Sequence, residues 1–91
     1  MSIARKRVVV LISGRGSNMN ALIEATGDPA YPAEIVGVIA DKADAKGLSV
    51  AAARDIETMA ITRADHADKA AMDEALDAKL RELRADIVCL A

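Results

Sequence analysis

Val8-Val9-Val10-Leu11-Ile12-Ser13-Gly14-Arg15-Gly16-Ser17-Asn18 is the stretch on which the fold turns. Its first five residues form an unbroken apolar run dominated by β-branched side chains, the pattern of a parallel strand buried on both faces. Beyond the Ser13–Asn18 turn, Met19, Leu22 and Ile23 recur at i, i+3 and i+4, one apolar face of a helix for which Ser17 is the expected N-cap. Gly27 stops that helix, with Asp28 and Pro29 behind it. A buried strand, a glycine turn and a helix are the opening of a βαβ unit.

The rest of the chain repeats the alternation. Glu34–Ala40 carries Ile35, Val36, Val38 and Ile39 and reads as a second buried strand. Gly47–Arg54 reads as a short helix with Leu48, Ala51 and Ala52 on one face, and Thr58–Thr62 as a weaker third strand in which Met59 and Ile61 alternate with small or polar residues. Asp65 is the expected cap of a last helix, where Met72, Leu76, Leu80 and Leu83 keep helical spacing and Arg81 and Arg84 meet the negative pole of the dipole. Ile87–Leu90 is a fourth apolar strand. The order βαβαβαβ predicts an α/β fold: an open, mostly parallel sheet with right-handed crossovers and helices on both faces. In such sheets the functional loops leave the carboxyl ends of the strands. The chain stops at Ala91, at the end of a strand, so residues 1–91 are expected to be the N-terminal half of a longer single domain.

Composition narrows the class. The chain has 91 residues, a formal charge of −2 and 53% apolar residues, with Tyr31 the only aromatic, so aliphatic side chains and Met must fill the core. No basic face is large enough for a nucleic-acid partner. Arg5, Lys6 and Arg7, the one basic run, read as a solvated lead-in to the first strand. Val8–Ile12 is too short for a signal-peptide core, no membrane segment is apparent, and the lone Cys89 cannot form an internal disulfide. A cytoplasmic, reducing compartment is the expectation. Cys89 reads as a buried structural thiol, His66 as a helix-start residue without catalytic company, and Asp41 and Asp44 as local capping groups; no metal-ligand cluster is present, and no metal is expected.

The turn itself carries the chemistry. A phosphate needs several donors converging on it, and backbone N–H groups at a helix N-terminus supply them, aided by the dipole. Gly14 and Gly16 let the backbone approach, Ser17 and Asn18 add side-chain donors, and Arg15 adds charge from the rim. A dinucleotide fingerprint would need glycine where Met19 stands, although Asp41 at the end of the second strand could imitate its ribose-binding acid. A nucleoside-triphosphate loop would need a lysine that this turn lacks.

Val9–Leu22 resembles the opening of the phosphoribosylglycinamide formyltransferase family, folate-dependent enzymes of purine biosynthesis. Asp41–Leu48 resembles that family's loop after its second strand, and Ala85–Ala91 its approach to the folate pocket, so the similarity covers nearly the whole chain. The resemblance implies a Rossmann-like formyltransferase fold and transfer of a formyl group from 10-formyltetrahydrofolate, a co-substrate, to the amine of glycinamide ribonucleotide. It implies that Gly16, Ser17 and Asn18, supported by Gly14 and Arg15, bind the substrate phosphate, and that Lys69 and Leu90 stand at folate-contacting positions. The family's catalytic Asn, His and Asp fall beyond Ala91, so no catalytic residue is assigned and residues 1–91 alone are expected to be inactive. The implied partners are small molecules, and a homodimer is left open. The alternative is a nucleotide- or dinucleotide-binding module without formyl transfer.

Overall fold

The computed structural model describes residues 5–13 and 17–91, with Ser17 described by its backbone alone. The elements are β1 (Lys6–Ile12), α1 (Ser17–Thr26), β2 (Ala33–Ala40), α2 (Lys46–Ala53), β3 (Thr58–Ala60), a 3₁₀ turn (Arg63–Asp65), α3 (Lys69–Glu82) and β4 (Ile87–Leu90). All four strands are parallel, in the order β3-β2-β1-β4. The predicted α/β alternation and parallel sheet are therefore present.

Side-chain alternation along β1 sorts the helices onto opposite faces. Val8, Val10 and Ile12 pack with Met19 and Ile23 of α1 and Ala51 of α2, whereas Val9 and Leu11 meet Met72, Leu76 and Leu80 of α3. Burying a side chain such as Met19, fully enclosed here, contributes about 1.5–3 kcal/mol, so α1 is held to the sheet by few residues.

β2 follows a less simple rule. Val8 pairs with Ile35 but Val9 pairs with Gly37, leaving Val36 as the extra residue of a β-bulge. Ala33 and Ile35 face α1 and α2 before the bulge, and Val38 and Ala40 do so after it, so the bulge switches the parity of the strand. A Cβ on Gly37 would stand 2.6 Å from Cδ1 of Leu83, a buried residue, so a larger residue there would displace the Leu83 side chain.

Several local expectations need correction. α1 begins at Ser17 itself, so Ser17 is the first helical residue rather than the residue before it. In α2, Ala51 is buried and Leu48 half-buried, but Ala52 is exposed and Gly47 takes the inner position one turn before Ala51. The N-cap position of α2 is Ala45, with no side-chain capping bond, so neither Asp41 nor Asp44 caps it. β3 ends at Ala60, because Thr62 opens the 3₁₀ turn; Ile61 is buried while Met59 is exposed at the sheet edge. The cap of α3 is Asp68, whose Oδ1 accepts from the Ala71 N–H at 2.8 Å, whereas Asp65 closes the 3₁₀ turn with Thr62.

The basic run is also more than a solvated lead-in. Arg5 donates to the carbonyls of Tyr31, Thr26 and Ala33, at 2.9, 2.5 and 2.6 Å, placing a cation on the carboxyl end of α1. Arg7 donates through Nε to Leu83 O at 2.9 Å, and its backbone N–H donates to Asp86 Oδ2 at 2.9 Å. These bonds fasten the end of α3 and the start of β4 to the central strand.

Candidate functional site

The order β3-β2-β1-β4 contains one reversal of winding. The chain moves outward from β1 through β2 to β3, then crosses by α3 to the other side of β1. In open α/β sheets the crevice at the carboxyl ends beside such a reversal is the usual place for a ligand. A cleft of about 300 Å³ lies there. Ser13 and Asp41 edge it where β1 and β2 end, Leu90 and Ala91 where β4 ends, and Met72 and Leu76 of α3 wall its apolar side. The strand ends are tied together: Asp41 N–H donates to Ile12 O at 3.2 Å, and Ala91 N–H to Leu11 O at 3.0 Å. A second cleft of similar volume lies at the amino end of the sheet, edged by Arg5, Glu34 and Arg54. Its Arg5 is committed to backbone carbonyls, and no strand reversal opens onto it.

Of the residues singled out for phosphate binding, Gly14, Arg15 and Gly16 lie outside the described residues, as does the side chain of Ser17. The flanks are defined. Ser13 edges the cleft, and Asn18 is exposed in the first turn of α1. The turn thus joins the carboxyl end of the central strand to the amino end of a ten-residue helix, the arrangement in which backbone N–H groups point outward.

The two folate candidates separate. Leu90 borders the cleft and is 83% exposed. Lys69 is outside the cleft's lining: its side chain is 80% exposed, and Nζ pairs with Asp73 at 3.0 Å, one turn along α3. An exposed cation paired with a carboxylate four residues on is a common arrangement on a helix surface.

His66 is half-buried, and its Nδ1 lies 2.8 Å from Thr62 O. Because a carbonyl only accepts, Nδ1 carries the proton, and the ring helps close the 3₁₀ turn. Cys89 is a free thiol, half-buried in β4 against the α1 side of the core. Among the described residues no three His, Cys, Asp or Glu side chains converge as a metal site would require, and no helix is long and apolar enough to cross a membrane.

Sequence reasoning missed the α3 wall. Met72 and Leu76 stand four residues apart, the spacing of any core face, and nothing in that periodicity separates a residue buried against strands from one bordering a cleft.

Comparison with known proteins places this geometry. The chain is 47% identical over 87 residues to the trifunctional purine biosynthetic protein adenosine-3 of Bos taurus, covering 96% of this chain and 9% of that protein. It is 37% identical over 86 residues to phosphoribosylglycinamide formyltransferase of Haemophilus influenzae, covering 94% of this chain and 41% of that enzyme. The crystal structure of phosphoribosylglycinamide formyltransferase from Brucella melitensis superposes with a TM-score of 0.92 at 52% identity, covering 94% of this chain and 45% of that one. The chain thus spans less than half the length of each of these relatives. Residues 6–91 match the formyl transferase family, and with a parallel sheet in common with its solved members the chain belongs to that family.

Proposed function

We propose that these residues form the substrate-phosphate half of a phosphoribosylglycinamide formyltransferase, acting in purine biosynthesis with a folate-borne formyl donor. The observation that carries the reading is what flanks the turn: Ser13 stands at the carboxyl end of the central strand and borders the same cleft as Leu90, and the next described residue, Ser17, opens α1. The phosphate of glycinamide ribonucleotide sits on the backbone N–H groups that open α1, with Gly14 and Gly16 allowing the approach and Ser17, Asn18 and Arg15 adding donors. The apolar cleft then takes part of the folate, against Leu90.

In the reaction the substrate amine attacks the formyl carbon of 10-formyltetrahydrofolate. A new N–C bond forms, the bond to N10 breaks, and the proton lost by the amine is returned to N10. This half of the domain orients the reactants. Fixing the phosphate fixes where the amine points, and orientation of this kind contributes several kcal/mol to lowering a barrier. The reacting groups are supplied by residues outside 1–91, so the isolated chain binds without turning over. Its partners are small molecules in the cytoplasm.

The test is a substitution with two ligands. In a polypeptide carrying a complete formyltransferase domain that begins with these residues, Asn18→Ala is expected to weaken glycinamide ribonucleotide binding about tenfold or more, the loss of one charge-assisted hydrogen bond. Folate binding, measured by the same calorimetric titration, should stay within about twofold. Equal losses for both ligands overturn the assignment.

A further inference from the structure

Arg5 and Arg7, two residues apart where β1 begins, serve different helices. Arg7 donates to Leu83 O, at the carboxyl end of α3, and Arg5 to Thr26 O, at the carboxyl end of α1. α1 needs that cation. Its last turn contains no basic residue and does contain Glu24, the wrong sign for the negative pole of a helix. The same guanidinium donates to Tyr31 O and Ala33 O, so one side chain joins the end of α1, the connection that follows it and the first residue of β2. Residues 27–32 are exposed throughout. Among the described residues, their only hydrogen bonds to β1 and its lead-in are the one from Arg5 to Tyr31 O and the one from Lys6 N–H to Pro32 O.

Apolar packing does not fix α1 along its own axis. Met19 and Ile23 are buried against Val8, Val10 and Ile12, but such contact is non-directional and tolerates a small slide or tilt. Hydrogen bonds are directional and do not. With ten residues α1 is a rod about 15 Å long. Arg5, directly before β1, grips its carboxyl end, and its amino end follows the turn that leaves β1 at Ser13. We propose that Arg5 is a positioning residue for the substrate phosphate: by holding the carboxyl end of α1 to the sheet, it sets where the backbone N–H groups of Asn18 and Met19 stand at the other end. The proposal rests on the phosphate reading of the turn. Arg5 itself stands at the amino end of the sheet, away from both ligands, and acts through the helix.

The experiment uses the polypeptide that carries the complete domain. Arg5→Met, which keeps an apolar stem and removes the fork, is expected to raise the KM for glycinamide ribonucleotide about fivefold or more, while the KM for 10-formyltetrahydrofolate stays within about twofold. A purely stabilising role predicts something else: less folded enzyme lowers the apparent kcat and moves neither KM. Arg7→Met is the control. It removes the corresponding bond from α3, whose amino end is at Lys69 rather than at the turn, and should leave the ribonucleotide KM within about twofold. Should Arg5→Met fail to fold, Arg5→Lys keeps the charge without the planar fork and should still raise the ribonucleotide KM about threefold, with the folate KM unchanged. An unchanged ribonucleotide KM in the folded variant, equal rises for both substrates, or the same rise from Arg7→Met would each overturn the proposal. Asn18→Ala tests the phosphate reading apart. If that variant weakens the ribonucleotide selectively and the Arg5 variants do not, the positioning role alone falls; if Asn18→Ala weakens both ligands equally, both fall.

Discussion

Arg84 and Asp55 hold positive φ angles, 54° and 61°, in the left-handed region that glycine occupies without penalty. Each stands just past a helix in the same hydrogen-bonded arrangement. After α2, Asp55 N–H donates to Ala52 O and Ile56 N–H to Ala51 O, both at 3.1 Å; after α3, Arg84 N–H donates to Arg81 O and Ala85 N–H to Leu80 O, also both at 3.1 Å. These are Schellman ends built without glycine. Arg84→Gly is therefore expected to stabilise the chain by about 0.5–1 kcal/mol in urea unfolding, and Asp55→Gly by less, since aspartate tolerates this conformation better. Arg84→Ala provides the control: an equal gain from alanine would show that the backbone angle is not the cause.

At the scale of elements, the start of α3 is decided by which aspartate reaches a free N–H. The sequence pattern places the cap at Asp65, but the Thr62–Asp65 turn takes that residue and leaves Asp68 to cap Ala71. Asp68→Ala should cost about 1 kcal/mol in thermal or urea unfolding, with Asp65→Ala costing clearly less. The reverse order would return the helix start to Asp65. The other end of α3 is fastened by Lys79, which pairs with Glu57 ahead of β3 and with Glu82 one turn away. The Glu57 hydrogen bond raises the Lys79 pKa above its ordinary value, against burial, which lowers it. A raised lysine pKa contributes stability that is complete below the unfolded value of about 10.4 and is lost as pH rises through the folded value. Lys79→Met should flatten that alkaline loss, and an unchanged stability profile above pH 10 would remove Lys79 from its explanation.

For the molecule as a whole, β1 is the strand on which everything depends. It pairs on both sides, Val9 and Val10 are fully buried, and Arg7 draws in the end of α3 and the start of β4. Local opening therefore starts at the edges. In residues 1–91 alone, native-state hydrogen exchange should find the slowest amides in Val8–Ile12 and faster exchange in Thr58–Ala60 and Ile87–Leu90. Slowest exchange in β3 would contradict this ordering.

The sequence by itself determined the alternation of strands and helices, because the continuous apolar runs of parallel strands and the 3.6-residue spacing of α1 and α3 are local properties of the chain. It also supplied the phosphate reading proposed for the turn after β1, from two glycines with serine and asparagine opening a helix. Only the tertiary structure decided the strand order, the parity change at Val36, the capping role of Asp68 over Asp65, and the separation of Leu90, beside the cleft, from Lys69, which pairs with Asp73. Each of these depends on which residues meet across the sheet or across a turn. The apolar run Ile87–Leu90 shows the difference most plainly: its composition specified an apolar strand, while its place beside β1 and its distance from α3 set how much of it is covered among the described residues. Burial is a property of neighbours, and no stretch of sequence carries its neighbours with it.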